Sequence, residues 1–167
     1  SYVSGLRASL RQAPDVILLG EMRDHETISI AMTAAETGHL ILSTLHTLGA
    51  ANTIDRVIDA FPPSQQQQIR TQLSMVLDAV ISQQLIPTVD GGVQPAFEVM
   101  FLNNAIRNMI RESKIHQIDG VIATSQGEGM ISMDNSIISL YRKGAISREN
   151  AIAYSSNSEL MAKKLDR

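Results

Sequence analysis

Glu21 and His46 are the side chains whose type and setting could move a proton. Each follows a short apolar run. Val16-Ile17-Leu18-Leu19 leads through Gly20 to Glu21, and Leu40-Ile41-Leu42 leads through Ser43 to Thr44, His46 and Thr47. Four consecutive apolar residues read as a strand buried on both faces, each side chain contributing roughly 1.5–3 kcal/mol of burial. Parallel α/β sheets keep their ligand chemistry at the carboxyl ends of the strands. A carboxylate held there can polarise a water or sit near a bound metal. The plainer alternative is a core strand followed by a turn acid. The second run favours chemistry, because two strands ending in polar, proton-handling groups suggest one shared site. His39 brackets the second strand at its entrance, where a structural role competes evenly with a functional one.

The elements that must position these residues are legible from periodicity and punctuation. A first helix carries Val3, Leu6 and Leu10 on one face and stops at Pro14. Asp24 reads as a helix N-cap with Glu26 in the first turn, so its carboxylate serves as a cap or belongs to the site. Arg23 can pair with Asp24 or with a neighbouring subunit. Ile28, Ala31, Met32 and Ala35 form the buried stripe of that helix, and Gly38 ends it. A helix over residues 50–61 ends at Pro62-Pro63. Ser64 then opens another as a capping box with Gln67. Its apolar face runs through Ile69, Leu73, Val76, Leu77, Val80 and Ile81. Residues 85–89 and 96–102 read as paired strands around Asp90-Gly91-Gly92.

The rest reads as helical. Asn103 or Asn104 caps a helix over residues 105–112, with Ala105, Ile106, Met109 and Ile110 inward. Arg107, Asn108, Arg111 and Glu112 lie opposite, as a solvated face or a docking surface. Met133, Ile137, Leu140 and Tyr141 share a face that ends at Gly144. Ser147 and Ser158 read as caps of the last helices. The Gly-Glu-Gly at residues 127–129 follows no clear strand and reads as a loop.

Composition excludes several classes. The 167 residues hold a substantial core, in one domain or a domain and a half. A net charge of −3 gives no basic field for nucleic acid. No apolar run is long enough to insert in a membrane. The chain has no cysteine, which excludes disulfides and thiolate zinc sites.

The runs D-V-I-L-L-G-E-M-R-D (15–24), T-A-A-E-T-G-H (33–39) and H-L-I-L-S-T-L-H-T (39–47) resemble the secretion ATPases of type IV pili and of type II and IV secretion. In that superfamily G-E-M-R-D is the Walker B region and T-G-H…T-L-H the histidine box. A-I-R-N-M-I-R-E (105–112) resembles the signature of PilT-type pilus retraction ATPases, with Met109 where leucine is usual. The extension-type relatives commonly carry a four-cysteine zinc motif, which this chain does not have.

The resemblance implies a partial RecA-like α/β core over residues 1–102, a parallel sheet flanked by helices. A helical subdomain carrying the A-I-R-N-M-I-R-E motif follows over residues 103–167. It implies a homo-hexameric motor that hydrolyses ATP with Mg2+ to retract a pilus, at the cytoplasmic face of the bacterial inner membrane, beside an inner-membrane platform protein. Glu21 would orient and deprotonate the attacking water, and His46 would sense the γ-phosphate. Thr44 and His39 would complete the nucleotide contacts, His39 across a subunit boundary. Arg23, Asp24, Arg107, Asn108, Arg111 and Glu112 would serve subunit or partner contacts. Gly20 stands where many such ATPases place an aspartate. The sequence holds no G-x-x-x-x-G-K-[ST] phosphate loop, and no lysine before Lys114. The expectation is therefore the carboxyl-terminal part of a longer motor, inactive alone. The alternatives are a non-catalytic interaction module and a secretion or pilus-assembly ATPase.

Overall fold

The computed structural model describes residues 2–166. In chain order its elements are α1 (Tyr2–Leu10), β1 (Val16–Leu19), α2 (His25–Glu36), β2 (Leu40–Ser43), α3 (Ala50–Asp59), α4 (Pro63–Val76), β3 (Ala79–Pro87) and β4 (Val93–Phe101). There follow α5 (Asn104–Arg111), α6 (Ile118–Thr124), α7 (Met133–Arg142), α8 (Arg148–Ala153) and α9 (Ser158–Leu165). The fold is α/β, in two compact units whose chain segments alternate. The first takes the chain up to Thr47, then Asn52–Asp78 and Leu102–Ile115. The second takes Leu48–Ala51, Ala79–Phe101 and the chain from His116 onward.

The first unit is built on a parallel pair. β1 and β2 run in register from Val16 opposite Leu40 to Leu19 opposite Ser43. Parallel strands need a crossover, and α2 is that crossover. Ile17 and Leu19 join Leu6 and Ala31 in a buried cluster. Burial of β1 on both faces is not observed. Val16 and Leu18 are 52% and 76% exposed, and Leu40 and Leu42 are about half exposed. The physical reason is strand alternation: among the described residues helices cover one face only, so period two appears in burial although not in residue type.

Asp24 is the N-cap of α2, its Oδ1 accepting the Thr27 amide at 2.8 Å. Thr27, Ile28, Ala31, Met32 and Ala34 are buried, whereas Ala35 is only half-buried. Gly38 ends the helix at φ 97°, and the His39 amide donates to Ala34 O at 3.1 Å. That left-handed cap suits a residue without Cβ. α3 stops at Asp59, short of the expected Phe61. α4 starts on Pro63 with no side-chain cap, so Ser64 is not the capping residue expected. Proline is favoured at a first helical position because its missing N–H has no partner to find there.

α4 ends at Val76, with Leu77 extended. The helical face expected to continue through Val80 and Ile81 is instead the start of β3. Pairing with β4, from Ala79 opposite Phe101 to Pro87 opposite Val93, overrides the local helical spacing. α5 then returns to pack on α4, with Ile106 and Ile110 fully buried. Asn103 is its cap, accepting the Ile106 amide at 3.0 Å.

The second unit is organised by the β3–β4 hairpin, which turns at Gly91 with φ 87°. Ile86, Ala96 and Met100 point inward and are fully buried, while Ile81, Leu85 and Val93 are exposed. α7 packs on β4. Val99 and Ile131 exchange backbone bonds of 2.9 and 3.0 Å. Ile86, Ala96, Met133, Ile137, Ile146 and Met161 belong to one core. Ser132, Ser147 and Asn157 cap α7, α8 and α9. Each such cap contributes about 1 kcal/mol. The last one lies one residue before the expected Ser158. Residues 126–128 form a 3-10 turn, in keeping with the loop expected there. The grouping also differs from the expected boundary after residue 102. The hairpin groups with the carboxyl-terminal helices through α7 and Ile131, and α5 groups with the first unit through α4.

Candidate active site

The two strand ends stay together for one step beyond the sheet. Thr44 Oγ1 donates to Gly20 O at 2.5 Å, and the Met22 amide donates to Thr44 O at 3.2 Å. These bonds bring Glu21, after β1, beside the segment that carries His46, after β2. The Glu21 side chain is 21% exposed. Arg23 Nε and Nη2 both lie 2.7 Å from its Oε2, and His46 Nε2 lies 3.1 Å from its Oε1. The ends of the two apolar runs thus bring Glu21 and His46 into direct contact.

The Arg23 hydrogen bond is the largest effect and, aided by the charges of Arg23 and His46, holds the Glu21 carboxyl below the ordinary glutamate value; desolvation, second in size, opposes it. Glu21 is thus an ionised acceptor at neutral pH, able to accept a hydrogen bond and then a proton from a water. His46 is 86% exposed. Arg23 pairs with Glu21. The Asp24 carboxyl is held low first by the Thr27 amide, which marks it as the α2 cap. Thr47 Oγ1 lies 2.8 Å from Thr53 Oγ1.

His39 is not brought to this site. It sits at the opposite end of β2, with Nδ1 3.0 Å from Ala34 O and 3.2 Å from Thr37 Oγ1. A strand of this length places it about 13 Å from the Glu21 end.

The 105–112 motif divides in two. Arg107 is not on a solvated face: its side chain is 26% exposed. Its Nη1 donates to Ser74 O at 2.6 Å and Met75 O at 3.3 Å, on the last turn of α4. Asn108, Arg111 and Glu112 are exposed. Arg111 donates to Asn108 Oδ1, and Glu112 pairs with Lys114 at 2.6 Å.

Two residues escaped the sequence reading. Glu98 is 7% exposed and Ser82 4%. Glu98 Oε1 accepts the Ala50 amide at 2.8 Å and Oε2 the Met133 amide at 3.3 Å, while Ser82 Oγ accepts the Gly49 amide at 2.8 Å. The signal was available: strand alternation puts Glu98 on the inward face between Ala96 and Met100, where an acid needs donors.

Among the described residues no three His, Cys, Asp or Glu side chains cluster to hold a metal.

Residues 1–153 match the family described as type II/IV secretion system protein. The chain is 52% identical over 163 residues to the twitching motility protein of Neisseria gonorrhoeae, covering 97% of this chain and 44% of that protein. It is 51% identical over 150 residues to the type IV pilus retraction ATPase PilT of Pseudomonas aeruginosa, covering 90% and 44%. The crystal structure of the pilus retraction motor PilT with bound ADP superposes with a TM-score of 0.86 at 44% identity, covering 96% of this chain and 45% of that one. The chain therefore spans under half the length of these relatives.

Proposed function

The chain belongs to the type II/IV secretion system protein family, and on that premise we propose that it supplies the hydrolytic strand ends of a homo-hexameric ATPase that drives pilus retraction. Glu21 is the residue that orients and deprotonates the attacking water. His46 contacts the γ-phosphate, and Thr44 shapes the Gly20 turn through its bond to that carbonyl. The observation that carries this reading is the Glu21–His46 contact of 3.1 Å at the shared end of two parallel strands.

Charge and geometry suggest an order of events. Arg23 and His46 occupy both Glu21 oxygens. A γ-phosphate competes for the exposed imidazole. As His46 turns to it, Oε1 is released to accept a hydrogen bond from water. One side chain then both detects ATP and frees the base. A magnesium ion, when bound with ATP, would neutralise phosphate charge; the residues described here offer it at most the Glu21 carboxylate. The motor works at the cytoplasmic face of the inner membrane. Its platform-protein partner meets the exposed part of α5, Asn108, Arg111 and Glu112. No helix among the described residues is long and apolar enough to cross a membrane.

The test replaces the matching residues of the Neisseria gonorrhoeae relative with this chain. The chimera is expected to turn over ATP. Glu21→Gln is nearly isosteric, so it is expected to keep nucleotide binding while turnover falls by about 10²–10⁴. A folded chimera without turnover, or a Glu21→Gln variant near wild type, overturns the assignment.

A further inference from the structure

Arg23 grips the carboxylate of Glu21 from within the same turn. Its Nε and Nη2 both lie 2.7 Å from Oε2, whereas His46 meets Oε1 with a single nitrogen at 3.1 Å. A rigid guanidinium that brings two nitrogens to one oxygen fixes the direction of approach and resists rotation of the carboxylate. A single contact, such as an ammonium makes, leaves that rotation open.

The backbone prepares this grip. Before Arg23, the Met22 amide donates to Thr44 O at 3.2 Å, and Thr44 Oγ1 donates to Gly20 O at 2.5 Å. After it, Asp24 caps α2 by accepting the Thr27 amide at 2.8 Å. Arg23 therefore stands between two anchored residues and reaches Glu21 from two positions away. All of these residues belong to the first unit. A side chain supported in this way presents its partner in a preset geometry.

Stability does not account for the arrangement. The Arg23 side chain is 73% exposed, and ion pairs in solvent contribute little to folding. Geometry at a reacting group has a larger lever. A general base works only within hydrogen-bond reach of the proton that it takes, and a small misplacement lowers the rate without harming the fold. With Oε2 held by Arg23, Oε1 is the oxygen that meets His46.

We propose that Arg23 is a positioning residue, which holds Glu21 Oε2 so that Oε1 faces the attacking water. The proposal rests on the reading of Glu21 as the base. The paired contact carries the effect, and the positive charge alone is insufficient. Lysine at this position would keep the charge and lose the second nitrogen.

Two measurements keep the proposal separate from that reading. In the 167-residue chain, scalar couplings along the Glu21 side chain report its rotamer populations without nucleotide. The wild-type chain should show one dominant rotamer, and Arg23→Gln should lower its population by about a third or more. Arg23→Lys should give a change at least half as large. His46→Ala, which removes the single contact, should give less than half the change seen in Arg23→Gln. Each variant should melt within about 2 °C of wild type, because the side chains removed are exposed.

In the ATPase chimera, Arg23→Gln should lower kcat about tenfold with KM for ATP within about twofold. The hexamer should persist in sedimentation, and Arg23→Lys should recover less than half of the lost rate. If the unsubstituted chimera shows no turnover, the functional assignment fails, and the couplings still decide whether Arg23 fixes the carboxylate. A folded Arg23→Gln chain with unchanged Glu21 couplings overturns the proposal. So does full recovery of kcat by Arg23→Lys, which would make charge sufficient. Loss of the hexamer would make Arg23 a subunit contact, and a rise in kcat would make it a restraint on the base; either result overturns the proposal as well.

Discussion

Glu21 is held by two cationic partners of different permanence. Arg23 is always charged, whereas His46 forms an ion pair only when its imidazole is protonated. The lowered carboxyl value has a consequence for stability. A depressed carboxylate contributes stability above its unfolded value and loses it as pH falls through its folded value. The melting-temperature difference between the wild-type chain and Glu21→Gln should therefore persist at neutral pH. It should close on acidification below the ordinary glutamate value of 4.5. A gap that stays constant to pH of about 3 would detach Glu21 from its partners. His46→Ala in the chimera should reduce the preference for ATP over ADP, read from the two dissociation constants. Equal shifts in both would remove its sensing role. Glu21 and His46 were legible in the sequence because each ends an apolar run with a polar group, a contrast that one-dimensional reading registers. Glu98 was not, since its partners are backbone amides at positions 50 and 133, far apart along the chain.

At the scale of elements, α5 carries two kinds of arginine. Arg107 satisfies carbonyls at the end of α4, where orphan acceptors and the helix dipole both favour a cation. Arg107→Ala should cost about 1 kcal/mol of stability. Arg111→Ala, on an exposed side chain, should cost under about 0.5 kcal/mol. Thermal melts distinguish the two. Within the chimera, Arg111→Ala should keep ATP turnover while twitching motility fails; normal twitching would leave α5 as scaffold. The amphipathic pattern of α5 was readable from spacing, and its cap was narrowed to Asn103 or Asn104, of which the structure selects Asn103. The extent of α4 was not, because Val80 and Ile81 sit at helical spacing from Leu73 and Val76 yet pair with Met100 and Val99 on β4. The same limit applies to β1, where residue type could not tell a strand covered on two faces from one covered on one.

For the whole molecule, the missing phosphate-loop pattern sets the clearest expectation. Without that cradle the 167 residues lack the lysine and the backbone amides that a phosphate loop aims at the β- and γ-phosphates. Calorimetric titration with Mg-ATP should detect no micromolar binding to the chain alone; such binding would mean that a phosphate site exists elsewhere on it. A second property follows from the alternation of segments between the two units. A ribosome delivers α4 well before α5, with the entire β3–β4 hairpin synthesised in between. Ile69 and Leu73 on α4 are buried in the finished fold, as are Ile106 and Ile110 on the α5 that packs against it. During translation, at about 5–20 residues per second, α4 must wait on the order of seconds for its cover. That interval is a window for chaperones, and codon changes that slow synthesis across the hairpin should lower the soluble yield.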